Sequence, residues 1–298
     1  MKNLLSSLLL LLISSPAMAD LTIFACEPEW ATLSQDLGGD KVTVFSATSG
    51  LQNPHYIQAR PSLIAKARRA DLLICTGAEL EAGWLPLLQR KANNARIQMG
   101  APGNFVASDY VTMLDVPTSL DRSQGDVHAS GNPHIQTSPI NIQLVALALT
   151  KRLQILDSDN ADFYQQRSVD FNQRWQVAMD KWQQQALPLK GMSIVVQHDS
   201  WSYLFDWLKL RKTAVLEAKA GVPPTVRDLN NIVNQLKITP AKTVIHAAYQ
   251  PSRASSWLAD KVVIKNVTLP FTVGGTEQST DLFSLFDDTI QRLLDANK

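Results

Sequence analysis

The sequence predicts an α/β protein built as two doubly wound α/β lobes joined by one long rigid helix, and three observations carry that expectation. The chain has 298 residues, enough for two domains at roughly 100–200 residues each. Short β-rich runs alternate with helix-period segments near both ends of the chain, the pattern of parallel sheets covered on both faces. Between these stretches, residues 138–185 carry no strand signal and no glycine, only apolar residues at helical intervals.

The elements follow in order. Residues 21–25 are an apolar β-rich run, 30–37 have helical spacing, and Gly38-Gly39-Asp40 turns the chain into the strand-like 41–45, a β-α-β start. Pro61-Ser62 opens a helix to residue 69, with proline in the first turn, where its missing N–H is harmless. A buried strand at 70–75, a helix at 80–91 and a strand at 97–99 continue the alternation. In the helical middle, Val145, Leu149, Leu153 and Leu156, then Phe163, Phe171, Trp175 and Trp182 mark two helices. The second, 160–185, would run roughly 39 Å at 1.5 Å per residue, long enough to tie two lobes together. After Pro188 the alternation returns, with strands at 192–196, 214–217 and 243–246 and helices at 201–208 and 225–236. An amphipathic helix at 281–294 closes the chain, with Ser279 or Thr280 as its N-cap. No sequence-level repeat relates the lobes. The expected divisions are a leader at 1–19, a first lobe at 20–140, linking helices at 141–187 and a second lobe at 188–298.

Composition narrows the function. Lys and Arg number 28 against 27 for Asp and Glu, with 45% hydrophobic and 18% charged residues, which is ordinary globular usage. No basic run marks a nucleic-acid partner. Met1-Lys2-Asn3, an apolar stretch at 4–13 broken by Ser6 and Ser7, and Ala17-Met18-Ala19 read as a secretory signal peptide cleaved after Ala19. The apolar stretch is too short for a bilayer core of about 30 Å, and no later stretch approaches that length. A soluble, monomeric, periplasmic product without membrane insertion is expected. No cysteine follows the cleavage point, so a free protein is expected rather than a lipid-anchored one. Export also opens Cys26 and Cys75 to a disulfide. Each closes a strand-like run, and neighbouring strands lie about 4.8 Å apart, within disulfide reach. Two buried thiols or two metal-binding thiolates are the competing readings.

Five histidines are present: His55, His128, His134, His198 and His246. His55 follows Asn53-Pro54, His134 follows Asn132-Pro133, and His198 follows the buried run 194–196. Ligands of open α/β sheets bind beyond the carboxyl ends of strands, so these loops point to a site in the inter-lobe cleft. Neutral imidazole is a common zinc ligand, and a preceding Asn-Pro restricts the backbone that aims the ring. Spacing alone also fits hydrogen-bonded loop histidines, and no compact zinc motif is present. Glu27 and Glu29 fit either acceptors that orient an imidazole or charges at a helix N-terminus. Trp201, Tyr203 and Trp207 read as core, and His246 as a core or cleft-wall histidine.

Taken as a set, Gly38-Gly39-Asp40-Lys41-Val42, Asn53-Pro54-His55, Arg60-Pro61-Ser62, Ala70-Asp71-Leu72-Leu73-Ile74 and Glu79-Leu80-Glu81-x-x-Trp84 resemble the first lobe of a known family. It comprises the substrate-binding proteins of zinc and manganese ABC importers. Gly131-Asn132-Pro133-His134 resembles its second metal motif, and the run from Val196 to Tyr203, Val-Gln-His-Asp-Ser-Trp-Ser-Tyr, its third. The resemblance covers almost the whole mature chain. It implies two lobes around one long helix, a metal site in the cleft, His55, His134 and His198 as ligands, and a membrane permease as partner. Three imidazoles resemble the zinc branch, since manganese suits harder oxygen ligands. The family's acidic ligand precedes the last helix, which points to Glu277, with Asp281 as competitor and water as a third occupant. Where zinc members carry a His-rich loop, Asp126 and His128 remain, and His128 is an auxiliary ligand candidate. The implied function is periplasmic capture of Zn2+ for import, not catalysis. A manganese-binding member of the family, an exported zinc-dependent hydrolase and an adhesin on the same fold are the alternatives.

Overall fold

The structure is a computed structural model, and it describes residues 20–119, 125 and 128–298. The leader expected at 1–19, with its cleavage point, and Asp126 lie outside the described residues. Lobe one is a parallel sheet of β1 (Leu21–Ala25), β2 (Val42–Ser46), β3 (Leu72–Cys75) and β4 (Asn104–Val106) in the order β2-β1-β3-β4. Lobe two is a parallel sheet of β5 (Ser193–Val196), β6 (Arg211–Val215), β7 (Thr243–Ala247) and β8 (Lys265–Leu269) in the order β6-β5-β7-β8. The two orders are the same, so the lobes repeat in topology although no repeat is visible in sequence. Backbone pairing fixes strand order, and many apolar side chains satisfy the same buried positions.

Helices cover both faces of each sheet. In lobe one, α2 (Pro61–Arg69) and α3 (Leu85–Ala92) pack Leu63, Ala67, Leu88 and Ala92 on one side. In lobe two, α7 (Val226–Ile238) and α8 (Arg253–Val262) pack Leu229, Ile232, Leu236 and Leu258. The opposite faces of both sheets share a single core with α1 (Pro28–Gly38), α4 (Pro139–Leu156), α5 (Ala161–Gln185), α6 (Ser202–Leu208) and α9 (Leu282–Asn297). Helix α5, with 25 residues, is roughly 38 Å long. Its Phe171, Trp175 and Trp182 are buried in that shared core. Trp175 Nε1 donates to the Pro139 carbonyl at 2.9 Å and Trp182 Nε1 to Asp287 at 2.7 Å, so the polar edge of each indole is satisfied. Among the described residues no helix is long and apolar enough to cross a membrane.

The structure departs from the sequence reading at identifiable points. The helix expected from residue 80 begins at Leu85, because Glu81 turns back to accept the N–H groups of Thr76 and Gly77 at 2.8 and 3.1 Å and holds 77–84 as turns. The strand expected at 97–99 is absent. The Ile97 carbonyl is taken by Gln89 and Asn104 side chains at 2.7 and 3.1 Å, and the sheet pairs Asn104–Val106 instead. Helix α8 and strand β8 complete lobe two beyond the elements read from sequence. The N-cap of α9 is Asp281 rather than Ser279 or Thr280: it accepts Ser284 N–H at 2.7 Å, and Ser284 Oγ accepts Asp281 N–H at 2.9 Å, a capping box.

Strands β1 and β3 pair Ala25 with Ile74, so the next residues, Cys26 and Cys75, stand side by side. They form a disulfide with Cα atoms 4.8 Å apart. This resolves the cysteine alternatives, since bonded sulfurs offer no thiolates to a metal.

Candidate metal centre

Each Asn-Pro-His segment is shaped by its own asparagine. Asn53 Oδ1 accepts the His55 N–H at 3.1 Å, and Asn132 Oδ1 accepts the His134 N–H at 3.1 Å. These are Asx turns, in which a short side chain replaces a backbone acceptor two residues on. Asn53 Oδ1 also lies 2.9 Å from His55 Nδ1, which turns the ring's Nε2 away from the loop. Trp84 Nε1 fixes the same loop by donating to the Pro54 carbonyl at 2.9 Å. Asn132 reaches across to lobe two, donating to the Asp199 carbonyl at 2.9 Å, and the Tyr203 hydroxyl donates to the Asn132 carbonyl at 2.7 Å. Tyr203, read from sequence as core, is buried and also ties the two lobes.

His198 follows β5 by two residues. Past the end of β6, Leu216 and Glu217 continue the ladder by donating to the Val196 and Gln197 carbonyls at 2.9 and 3.0 Å. That pairing carries Glu217 to His198, and His198 Nδ1 bonds Glu217 Oε2 at 2.7 Å. Glu217 escaped the sequence reading. The strand expected at 214–217 ends in the structure at Val215, and this shift is what puts Glu217 beyond a strand end, where the histidines are sought.

Four imidazoles converge in the cleft. The His55 ring centroid lies 5.3 Å from His128, 5.5 Å from His134 and 6.3 Å from His198, and His134 lies 5.8 Å from His198. His55 Nε2 and His128 Nε2 are 3.3 Å apart. His55, His134 and His198 are buried and His128 half-buried. Burial, reinforced by the neighbouring His55, His198 and His128, holds the His134 pKa well below the ordinary imidazole value, so it offers a lone pair at neutral pH. The cluster has cavities on two sides. One of about 150 Å³ is lined by His128, His134, His198 and Asp115, and one of about 310 Å³ by His55, His198, Glu217 and Gln197.

The acid expected from the loop before α9 does not join the rings. Glu277 is exposed and is hydrogen-bonded or ion-paired to none of them among the described residues, while Asp281 is spent on the helix cap. The segment that does approach is Phe271, whose ring packs edge-on at 5.2 Å from His134; β8 ends at Leu269 and delivers an apolar side chain there. His246 is a core histidine, bonded through Nδ1 to Asn266 and through Nε2 to Thr268, each at 3.0 Å.

Glu27 and Glu29 do not orient an imidazole. Both are buried at the start of α1, where Glu27 accepts Thr76 Oγ1 at 3.2 Å and Glu29 accepts the Thr272 hydroxyl from lobe two. Burial pushes the pKa of Glu29 and of nearby Glu81 up to about 7, and that of Glu27 higher than its ordinary value through burial and the charge of Glu81.

Comparison with known proteins identifies the family and the fold. The manganese ABC transporter substrate-binding lipoprotein PsaA of Streptococcus pneumoniae is 24% identical over 215 residues, 70% of this chain and 66% of its own length. This chain therefore spans just under two thirds of that relative. The metal ABC transporter substrate-binding lipoprotein FimA of Streptococcus parasanguinis is 23% identical over 232 residues, covering 76% of this chain and 72% of the relative. Among solved structures, the crystal structure of ZnuA superposes with a TM-score of 0.78 at 22% identity, covering 94% of this chain and all of that one. The cadmium-bound periplasmic metal binding protein of Candidatus Liberibacter asiaticus superposes with a TM-score of 0.74 at 14% identity, covering 93% of this chain and 99% of that one. The family described as zinc-uptake complex component A, periplasmic, matches residues 23–296, and the chain belongs to that family, one of solute-binding components rather than enzymes.

Proposed function

We propose that this protein is a periplasmic substrate-binding protein that captures Zn2+ between its lobes and delivers it to the membrane permease of an ABC importer. One observation carries the reading of a metal site. Zinc binds imidazole at about 2.0–2.1 Å in a tetrahedron, whose edges are then about 3.3 Å; the Nε2 atoms of His55 and His128 are separated by 3.3 Å. With His134 and His198 they make a nitrogen set, which suits zinc, whereas manganese favours oxygen. His128 thereby moves from an auxiliary position to the fourth ligand, in the place first expected for Glu277. Ligands from both lobes couple occupancy to the cleft, and the core shared along α5 keeps the associated motion small.

A manganese carrier is the second reading, favoured by the relatives named for manganese. Metal analysis after chelator stripping, with zinc and manganese titrated in competition, separates the two. One zinc held in preference to manganese, and lost in His134→Ala and His198→Ala, supports the proposal. Stoichiometric manganese preference overturns it.

A further inference from the structure

We infer that Glu217 is the positioning residue of this site: it fixes His198 with Nε2 facing the metal and brings compensating negative charge to it. The inference rests on the carrier reading above and concerns a residue outside the four imidazoles. Three of the four rings can be compared at Nδ1. His55 has the neutral Asn53 amide there, His134 has no partner among the described residues, and His198 has a carboxylate at 2.7 Å. A carboxylate on the far nitrogen fixes the tautomer, orients the ring and makes its other nitrogen a stronger donor.

Glu217 is itself held in place. Its Oε2 also accepts the Gly221 N–H at 2.9 Å, its backbone continues the β5–β6 ladder, and its side chain is 12% exposed. The other acids beside the rings are engaged elsewhere. Asp199 is paired with Lys212 at 2.6 Å, and Asp115 accepts from Asn132 and Ser202. A divalent ion on four neutral imidazoles would keep its full double charge among largely buried rings. Glu217 stands one imidazole away from that charge, and among the described residues its ion pair is with His198.

The test compares the parent protein with Glu217→Gln and Glu217→Leu, each stripped of metal, by nitrogen-15 histidine NMR and then by zinc titration against a chelating dye. In the parent, His198 should carry its proton on Nδ1. In Glu217→Leu the tautomers should mix and the zinc Kd rise about 10–100-fold. Glu217→Gln, whose amide oxygen still accepts from Nδ1–H, should keep the tautomer and lie between the other two in affinity. An unchanged His198 tautomer and unchanged zinc affinity in Glu217→Leu overturn the inference. So does an oxygen ligand seen by X-ray absorption in the zinc-loaded parent and lost in Glu217→Leu, which would make Glu217 a direct ligand. A parent that holds no metal but shows the tautomer shift overturns the carrier reading instead, and supports the hold of Glu217 on His198.

Discussion

Asn132 and Asp199 join the two lobes at the edge of the histidine cluster: the Asn132 amide, whose oxygen shapes the turn before His134, donates through Nδ2 to the Asp199 carbonyl at 2.9 Å. One side chain thus aims His134, a proposed ligand in lobe one, and fastens the loop after His198 in lobe two. Asn132→Ala should lower stability by roughly 1–3 kcal/mol, since it leaves buried groups unpaired, and should weaken zinc binding. Asn53→Ala loses only a turn within lobe one, so it should destabilise less. Denaturant unfolding and zinc titration of the two variants check the order.

Removing a ligand should cost more than removing an outer partner. His55→Ala, His128→Ala, His134→Ala and His198→Ala should each raise the zinc Kd beyond the 10–100-fold typical of outer-shell losses. Equal affinity in His128→Ala and the parent would return His128 to an auxiliary role. Zinc affinity of the parent should also fall as pH drops through about 6.5, where protons compete for free imidazole, as a titration series from pH 5 to 8 would record.

Two opposed contributions to the stability of the metal-free protein should change between about pH 4.5 and 7. Glu29 and Glu81 have folded values near 7 against an ordinary 4.5, so their contribution is complete below about 4.5 and lost as pH rises through about 7. His134 is held below its ordinary 6.5, so its contribution is complete above that value and declines as pH falls below it. Across that window of a melting-temperature profile, Glu29→Gln and Glu81→Gln should remove a fall with rising pH, and His134→Asn should remove a rise.

The disulfide between Cys26 and Cys75 closes a long loop across two central strands of lobe one. Cys26→Ala with Cys75→Ala should lower unfolding free energy by roughly 2–5 kcal/mol. Zinc affinity should change little at temperatures where the variant stays folded, because none of the four proposed ligands is among the bonded residues. Chemical denaturation alongside metal titration checks both halves.

The residues that were legible in sequence are those whose role is set locally. Apolar periodicity placed most strands and helices, because burial on one face or both imposes a period on the chain. Asn53-Pro54-His55 and Asn132-Pro133-His134 were legible because an Asx turn is complete within three residues. Other features depended on distant partners. The turn at 77–84 is held by Glu81 against the end of β3, and Asp281 caps α9 where other residues were equally suited by type.

The sequence by itself determined two α/β lobes, a long connecting helix and three loop histidines, since each follows from local pattern and chain order. Only the tertiary structure decided that His128 meets His55 across 73 positions, that Glu217 meets His198 across 19, and that Phe271 rather than Glu277 approaches the rings. Strand order and register bring those side chains together, and neither can be read from any one segment, because a ligand set is a statement about distances between segments that the chain joins only by folding.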